Sequence, residues 1–320
     1  AILSSIISFM KGRRMPKTKT PLRYPGGKSR AMNYLLPRMP DNVTEFRDAF
    51  VGGGSVFLAA KEQYPNAKFW INDAYYNLYN FWIALRDDGE TLSDMLLTLK
   101  NDHYEDLSKA DLKSEIKQEG LVGKDKSDFI RSKTTKAAEL FLNCKHAIAK
   151  SSYLDRAAYF YVLNKCSFSG LTEQGSFSPQ ASMQNFSQAG VERLSEVSKM
   201  LAGVRITNDD YSTCFGGDNQ DCFIFMDPPY DIGKQNTLYG KNGEMHSTFI
   251  HQIFADECRN IKSKFMITYN NSDVICNRFK EYNCEPWSLK YGMRIIENED
   301  GELKAKDHRE NELLITNYRF

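Results

Sequence analysis

The sequence offers no frame for a metal or a disulfide scaffold. Its seven cysteines are odd in number, and no two of them form a Cys-x-x-Cys pair. They read as reduced, partly buried thiols of a cytosolic protein rather than as zinc ligands or bridges. The five histidines are scattered and include no H-E-x-x-H, so no metal is expected. No apolar run approaches the ~20 residues of a membrane span. The apolar start, Ala1 to Met10, is followed rather than preceded by positive charge, the reverse of a signal peptide. These absences predict a cytoplasmic protein without a membrane partner.

Acid is also missing where it would balance charge. Between Ala1 and Pro40 stand Lys11, Arg13, Arg14, Lys17, Lys19, Arg23, Lys28, Arg30 and Arg38, without one Asp or Glu. The whole chain carries a formal charge of only +1, so the asymmetry is local. It suits either a polyanionic partner or a plain solubilising arm. Residues 1–20 are read as that arm, partly foreign, with Met10 or Met15 as alternative natural starts.

What is present is an alternation of short apolar runs with stretches of helical spacing. Strands are predicted at Thr44 to Phe50, Lys68 to Ile71, Val204 to Thr207, Cys222 to Met226 and Phe265 to Tyr269, with a closing pair near Trp287 to Tyr291 and Leu313 to Tyr318. Helices are predicted at Ser29 to Leu36, Ser55 to Gln63, Tyr75 to Leu85, Val191 to Leu201, Ser247 to Ile261 and Asp273 to Lys280. Such alternation predicts an α/β fold with a doubly wound, mostly parallel sheet. The rhythm stops after Asp87. There, acids and bases mix (Glu105, Asp106, Lys109, Asp111), and then a Ser, Gly, Phe and Gln-rich stretch runs from Asn164 to Ala181. Residues 87–189 are read as an inserted, mainly helical subdomain, and 21–86 with 190–320 as the main domain.

Three strings carry chemistry. Asp227-Pro228-Pro229-Tyr230 leaves the apolar run Cys-Phe-Ile-Phe-Met, and ligands of doubly wound sheets sit at such carboxyl ends. Asp227 and the Pro228 carbonyl are two acceptors on a backbone stiffened by consecutive prolines. Aimed at one aromatic amine, they would draw its lone pair out of the ring and toward an electrophile. Tyr230 supplies a flat face for stacking a planar base. The bland alternative is a rigid proline turn with a surface tyrosine.

Phe50-Val51-Gly52-Gly53-Gly54-Ser55-Val56-Phe57 is a glycine-rich turn between strand and helix, where the backbone can approach a ligand closely. Asp73 ends the following strand, the place where an acid binds ribose hydroxyls in such folds. A dinucleotide fingerprint would need glycine where Phe57 stands. The third string, Arg23-Tyr24-Pro25-Gly26-Gly27-Lys28, reads alone as a basic turn.

In this order along the chain, the three strings resemble the Dam-type family of adenine-specific DNA methyltransferases, from about Pro21 onward. The resemblance implies a Rossmann-like methyltransferase sheet with S-adenosylmethionine as methyl donor and double-stranded DNA as partner. It implies that Tyr24 and Lys28 lie beside the donor, Phe50, Gly52 and Gly54 surround its methionine part, and Asp73 holds its ribose. Asp210 and Tyr211 lie near its adenine ring, and Asp227 borders both donor and target adenine. Asp227, Pro228, Pro229 and Tyr230 are then catalytic. His246-Ser247-Thr248-Phe249 and Asn311-Glu312-Leu313-Leu314 match later motifs of the family, read as structural.

Asn164, Lys165, Ser167, Ser169, Leu171 and Glu173 fall in the part of the insertion that, by resemblance, reaches DNA. Short polar groups with an apolar wedge suit base-edge contact and unstacking. Glu173 departs from relatives that read GATC, which carry an arginine there, and an acid would accept from cytosine. The expected reaction is N6 methylation of an adenine flipped from its duplex. Alternatives are a cytosine-N4 or RNA amino methyltransferase of the same fold, or a DNA-binding relative without activity. A cognate restriction endonuclease is the partner implied if the enzyme guards its own DNA.

Overall fold

The structure, a computed structural model, describes residues 16–104, 109–217, 220–231, 249–297 and 303–320, with backbone alone at 109–111, 289–297 and 303–310. Lys11, Arg13 and Arg14 of the basic arm, Glu105 and Asp106 of the insertion, and His246-Ser247-Thr248 lie outside the described residues.

Seven strands form one sheet: β1 (Glu45–Asp48), β2 (Lys68–Asn72), β3 (Arg205–Thr207), β4 (Cys222–Met226), β5 (Lys264–Asn270), β6 (Asn283–Glu297) and β7 (Leu303–Thr316), in spatial order β3-β2-β1-β4-β5-β7-β6. The pairs from β3 to β5 are parallel, and β7 runs antiparallel to both neighbours. The expected doubly wound sheet is therefore present, with one reversed strand. β4 reads as continuous apolar sequence because it is buried along its whole length, as a central strand covered on both faces must be. The order reverses between β1 and β4, which opens a crevice at their carboxyl ends.

In chain order the helices are α1 (Met32–Leu35), α2 (Ser55–Gln63), α3 (Tyr76–Asp87), α4 (Gly89–Tyr104), α5 (Lys109–Gln118), α6 (Gly123–Lys133), α7 (Thr135–Ala147), α8 (Tyr153–Cys166), α9 (Pro179–Asn185), α10 (Gln188–Glu192), α11 (Leu194–Met200), α12 (His251–Cys258) and α13 (Asp273–Arg278). No described helix is long and apolar enough to cross a membrane. α2 matches its predicted span, and three other predictions are corrected. The first helix dissolves into 3-10 turns at Lys28–Ala31 and Leu36–Arg38 flanking α1, with Pro37 inside the second. Val191 to Leu201 breaks into α10 and α11, the former started one turn early by Ser187, whose hydroxyl accepts from the Gly190 N–H. The closing strands are far longer than predicted. Only Glu312–Thr316 of β7 also pairs with β5. Further out the ribbon pairs with itself alone, so no sheet neighbour selects for apolar alternation.

The described residues of 87–189 are helical apart from short turns and an isolated bridge between Ser167 and Phe177. They do not build a core of their own. One apolar cluster runs from Phe57 and Trp82 of the main domain through Phe141, Phe160 and Tyr161 to Phe186. The stack of Phe81 on Tyr161, with centroids 5.9 Å apart, joins α3 to α8 at its centre. Burying such rings stabilises each by about 2–3 kcal/mol, which makes α3 the seat of the insertion.

Candidate active site

The crevice is built by strand ends. Asn72, 1% exposed at the end of β2, donates to the Ala49 carbonyl at 3.3 Å and the Asp209 carbonyl at 2.9 Å, and accepts from the Thr207 hydroxyl at 2.7 Å. One side chain thus fixes the mouths of β1, β2 and β3.

The glycine turn leaves β1 with Gly52 at φ +48° and Gly54 at φ +74°, in the left-handed region that suits glycine. Its tightest neighbours belong to the chain itself. A Cβ on Gly52 would stand 2.8 Å from the Tyr24 ring, and one on Gly54 would stand 2.7 Å from Trp82. Tyr24 therefore lies over the turn, beside the expected donor site. Trp82 supports the turn from below, its indole N–H donating to the Gly52 carbonyl at 3.2 Å. That support was not foreseen from the sequence.

Asp73 accepts from the Gly52 and Tyr75 N–H groups, both at 3.0 Å. Burial pushes its pKa up to about 6 against these two bonds. Asp48, the last residue of β1, was missed. It is 1% exposed and accepts from the Phe50 N–H at 3.3 Å. Its pKa lies well above the carboxylate range, through burial first and then the charges of Asp227 and Asp73. An acid closing the first strand, two residues before Phe50, was the available signal.

Asp227 follows β4 directly. Lys28, 2% exposed, reaches one of its oxygens at 2.8 Å, and the Thr268 hydroxyl of β5 donates to the other at 2.6 Å. A carboxylate has about four lone-pair sites, so acceptor capacity remains. Among the described residues no donor reaches the Pro228 carbonyl. Tyr230 is held on three sides: its ring stacks on Tyr269 with centroids 6.0 Å apart, the Lys28 ammonium lies 5.1 Å from its centroid, and its hydroxyl donates to Glu312. Glu312 is fully buried, a partner that sequence had marked only as structural. Just beyond, the Asp231 N–H donates to the Asn270 side chain at 2.9 Å and pins the loop to β5.

Phe50 and Tyr211 stack at 5.3 Å and 25°, forming an aromatic wall with Phe249 and Phe254. Asp210 is exposed and caps its own turn, accepting from the Ser212 N–H at 2.9 Å. Site and donor match in hydrogen-bonding capacity. Asp73 and Asp227 offer acceptor oxygens suited to a ligand with hydroxyl and ammonium groups, while Tyr24 and Trp82 take the positions that side chains on Gly52 and Gly54 would fill.

The segment expected to read DNA is only partly available for it. Asn164 is fully buried: its amide donates to the Arg23 carbonyl at 2.7 Å and accepts from the Arg23 N–H at 2.9 Å. Ser167 is also fully buried, its hydroxyl accepting from the Thr172 N–H at 3.2 Å. Both side chains face inward here, and a base-edge contact would have to replace these bonds. Glu173 is also engaged within the protein. It accepts from the Tyr75 hydroxyl and from the Asn77 amide instead of standing free. Lys165 is 9% exposed, with its ammonium over the Tyr161 ring at 5.1 Å, and Leu171 is half-buried. Ser169 is exposed at φ +53°. Beside it Phe168, 65% exposed, is the large apolar group the segment presents outward.

Comparison with known proteins shows the family. The D12 class N6 adenine-specific DNA methyltransferase family matches residues 24–293. The chain is 25% identical over 218 residues to Type II methyltransferase M.MjaIII of Methanocaldococcus jannaschii, covering 65% of this chain and 68% of that one. It is 20% identical to Type II methyltransferase M1.LlaDCHI of Lactococcus lactis subsp. cremoris over 92% of this chain and 94% of the other. Type II methyltransferase M.FokI of Planomicrobium okeanokoites is 23% identical over 94% of this chain, which spans 43% of that longer protein. The crevice at the switch point between β1 and β4, with Asp227-Pro228-Pro229-Tyr230 at its mouth and the glycine turn beside it, is thus the candidate active site of a chain that belongs to the D12 class N6 adenine-specific DNA methyltransferases, whose methyl donor is S-adenosylmethionine.

Proposed function

We propose that this methyltransferase takes an adenine turned out of duplex DNA between Asp227 and Tyr230, and holds its N6 for in-line transfer. The observation that carries the reading is Asp227 itself, set at the switch point with each oxygen fixed by a different element. The donor supplies a methyl group activated by a positive sulfur. The chain supplies position. Asp227 and the Pro228 carbonyl accept from the amine and turn its lone pair toward the methyl group. Pro229 keeps that backbone stiff, and Tyr230 stacks on the base. The amine turns acidic on alkylation and releases a proton without needing a strong base.

Asp73 accepts from the ribose hydroxyls, and Phe50 with Tyr211 flanks the donor's adenine. Tyr24 and the Gly52 to Gly54 turn enclose the methionine end, near Asp48. Because a ligand donating to Asp73 prefers its ionised form, affinity should fall as pH drops through about 6 and level off above it. Calorimetry with S-adenosylmethionine from pH 5 to 8 measures this, and Asp73→Asn should flatten the profile. A slope equal in both proteins would remove Asp73 from the site.

Phe168 is the wedge that fills the stack when the base leaves, on a segment that the insertion presents to DNA. Phe168→Ala should lower kcat/KM on duplex DNA by about tenfold or more, with a smaller loss on a substrate already mispaired at the target, since unstacking is then less costly. Equal losses on both substrates would contradict the wedge.

The Type II naming of the relatives supports a cognate restriction endonuclease as partner, and the cytoplasm as the place of action. The decisive experiment is single-molecule sequencing of DNA from cells expressing the chain, with mass analysis of its nucleosides. N6-methyladenine in one sequence context is expected. N4-methylcytosine, or modified RNA with unmodified DNA, would overturn the reading.

A further inference from the structure

Glu173 lies where a base-reading group was expected, yet its carboxylate is turned back on the protein. One oxygen accepts from the Tyr75 hydroxyl and the other from the Asn77 amide. Tyr75 immediately precedes α3 and Asn77 lies in its first turn, two and four residues after Asp73. Tyr75 touches both the donor side and the DNA side of the molecule. Its N–H donates to Asp73 at 3.0 Å, while its hydroxyl meets Glu173 and stands 3.4 Å from the Thr172 hydroxyl. The ring is fixed meanwhile by an edge contact with Phe160 of α8, at 5.9 Å. The far side of the strap is anchored as well, since Arg156 donates to Asn77 at 3.1 Å.

The segment on the other end is held in an unfavourable shape. Thr172 has φ +51° and Ser169 φ +53°, and a β-branched residue in the left-handed region is a true outlier. Such a conformation persists only when its surroundings over-determine it. Around Thr172 the described restraints include the Ser167 hydroxyl at its N–H, the Gly175 N–H at its carbonyl at 3.1 Å, the Tyr75 hydroxyl at its side chain, and the docking of Glu173 next to it.

We propose that Glu173 is a positioning residue which straps the DNA-reading segment to the ribose acid through Tyr75, so that donor and DNA each tighten the binding of the other. The inference rests on the assignment of Asp73 to the donor and of the Phe168 segment to DNA. A ribose on Asp73 orders the backbone at Tyr75. Ordered Tyr75 holds Glu173, and with it the strained turn that presents Phe168. Linkage requires the effect to be mutual: whatever factor the donor adds to DNA affinity, DNA adds to donor affinity. One hydrogen bond to a carboxylate acceptor can carry about a tenfold coupling.

The test uses the full chain, the donor analogue sinefungin, and a duplex carrying the target context mapped by sequencing. Calorimetry gives the analogue's Kd with and without duplex, and the ratio is the coupling. The wild-type ratio should be about tenfold. Tyr75→Phe keeps the ring and its packing, so its Kd without DNA should stay within about twofold while the ratio falls toward one. Glu173→Gln, left with one acceptor oxygen for two donors, should lower the ratio as well, and the double variant should be no worse than the worse single one, because both changes act on the same Tyr75–Glu173 bond. A Tyr75→Phe ratio equal to the wild-type ratio, or fully additive losses in the double variant, would overturn the strap. A wild-type ratio of one would do the same. If wild-type protein bound no analogue at all, the reading of the donor site would fall, and the strap with it.

Discussion

Asp227→Ala is expected to lower methyl transfer by about a thousandfold or more while the protein still binds its donor. The loss combines an acceptor aimed at the amine with the geometry that Thr268 and Lys28 impose on it, and removing one preorganised polar group from an active site typically costs about a hundred- to a thousandfold. Alanine also strands the Lys28 ammonium, 2% exposed, without its carboxylate. Asp227 is 22% exposed, so solvent softens that penalty to about 2–4 kcal/mol of stability. Asp227→Asn separates the two effects, because its amide keeps the shape and an acceptor oxygen. It should lose less of the denaturant midpoint than Asp227→Ala, since the amide oxygen can still accept from Lys28, and still lose most activity. Single-turnover methylation with saturating donor and DNA measures the chemical step. An Asp227→Asn rate within tenfold of wild type would show that the carboxylate does not act on the amine.

Gly54→Ala should be nearly as damaging by a different route. At φ +74°, alanine costs about 1–2 kcal/mol for backbone conformation alone. Its Cβ would also stand 2.7 Å from two ring atoms of Trp82, and overpacking of that kind costs about 1–3 kcal/mol. Trp82 is fully buried against Phe57 and Phe81 and cannot step aside. The turn must move instead, carrying Gly52 and its bond to Asp73 with it. Expected results are a lower urea midpoint and donor affinity reduced by about tenfold or more. Gly203→Ala is the control for positive φ without crowding: at φ +71° it meets nothing within 4 Å, so its midpoint should fall less and donor binding should be unchanged. Equal midpoint losses would leave the Trp82 contact without weight.

The parts of this fold most legible in the sequence are those where burial writes a pattern. β4 is apolar because both faces are covered, and Asp227-Pro228-Pro229-Tyr230 stands out at its end because such a string has little use in an ordinary turn. Gly52 and Gly54 were readable for their conformation, although not for the neighbours that demand it. Trp82 supports the turn from 28 positions away along the chain, and nothing local marks a tryptophan in a helix for that role. Asp48 escaped because a lone acid at a strand end is common, and its proximity to Asp73 and Asp227 exists only once β1 lies between β2 and β4. The segment expected to read DNA was the least legible. Asn164, Ser167 and Glu173 are polar, as DNA contacts are, but a tight exposed segment needs polar groups to satisfy its own backbone. Sequence does not say which demand a given side chain meets.

The hold of Asn164 on Arg23 bears on how such enzymes are re-engineered. The amide grips both the N–H and the carbonyl of Arg23, Gly170 leaves room for that carbonyl, 2.5 Å from where a Cβ would sit, and the next residue is Tyr24, the cover of the glycine turn. Grafting the recognition loop of one relative onto the body of another, to obtain a new sequence preference, would therefore unfasten Tyr24 from the recipient. A transplant here is a two-piece transplant: residues 164–177 and the strip around Arg23 and Tyr24 have to travel together.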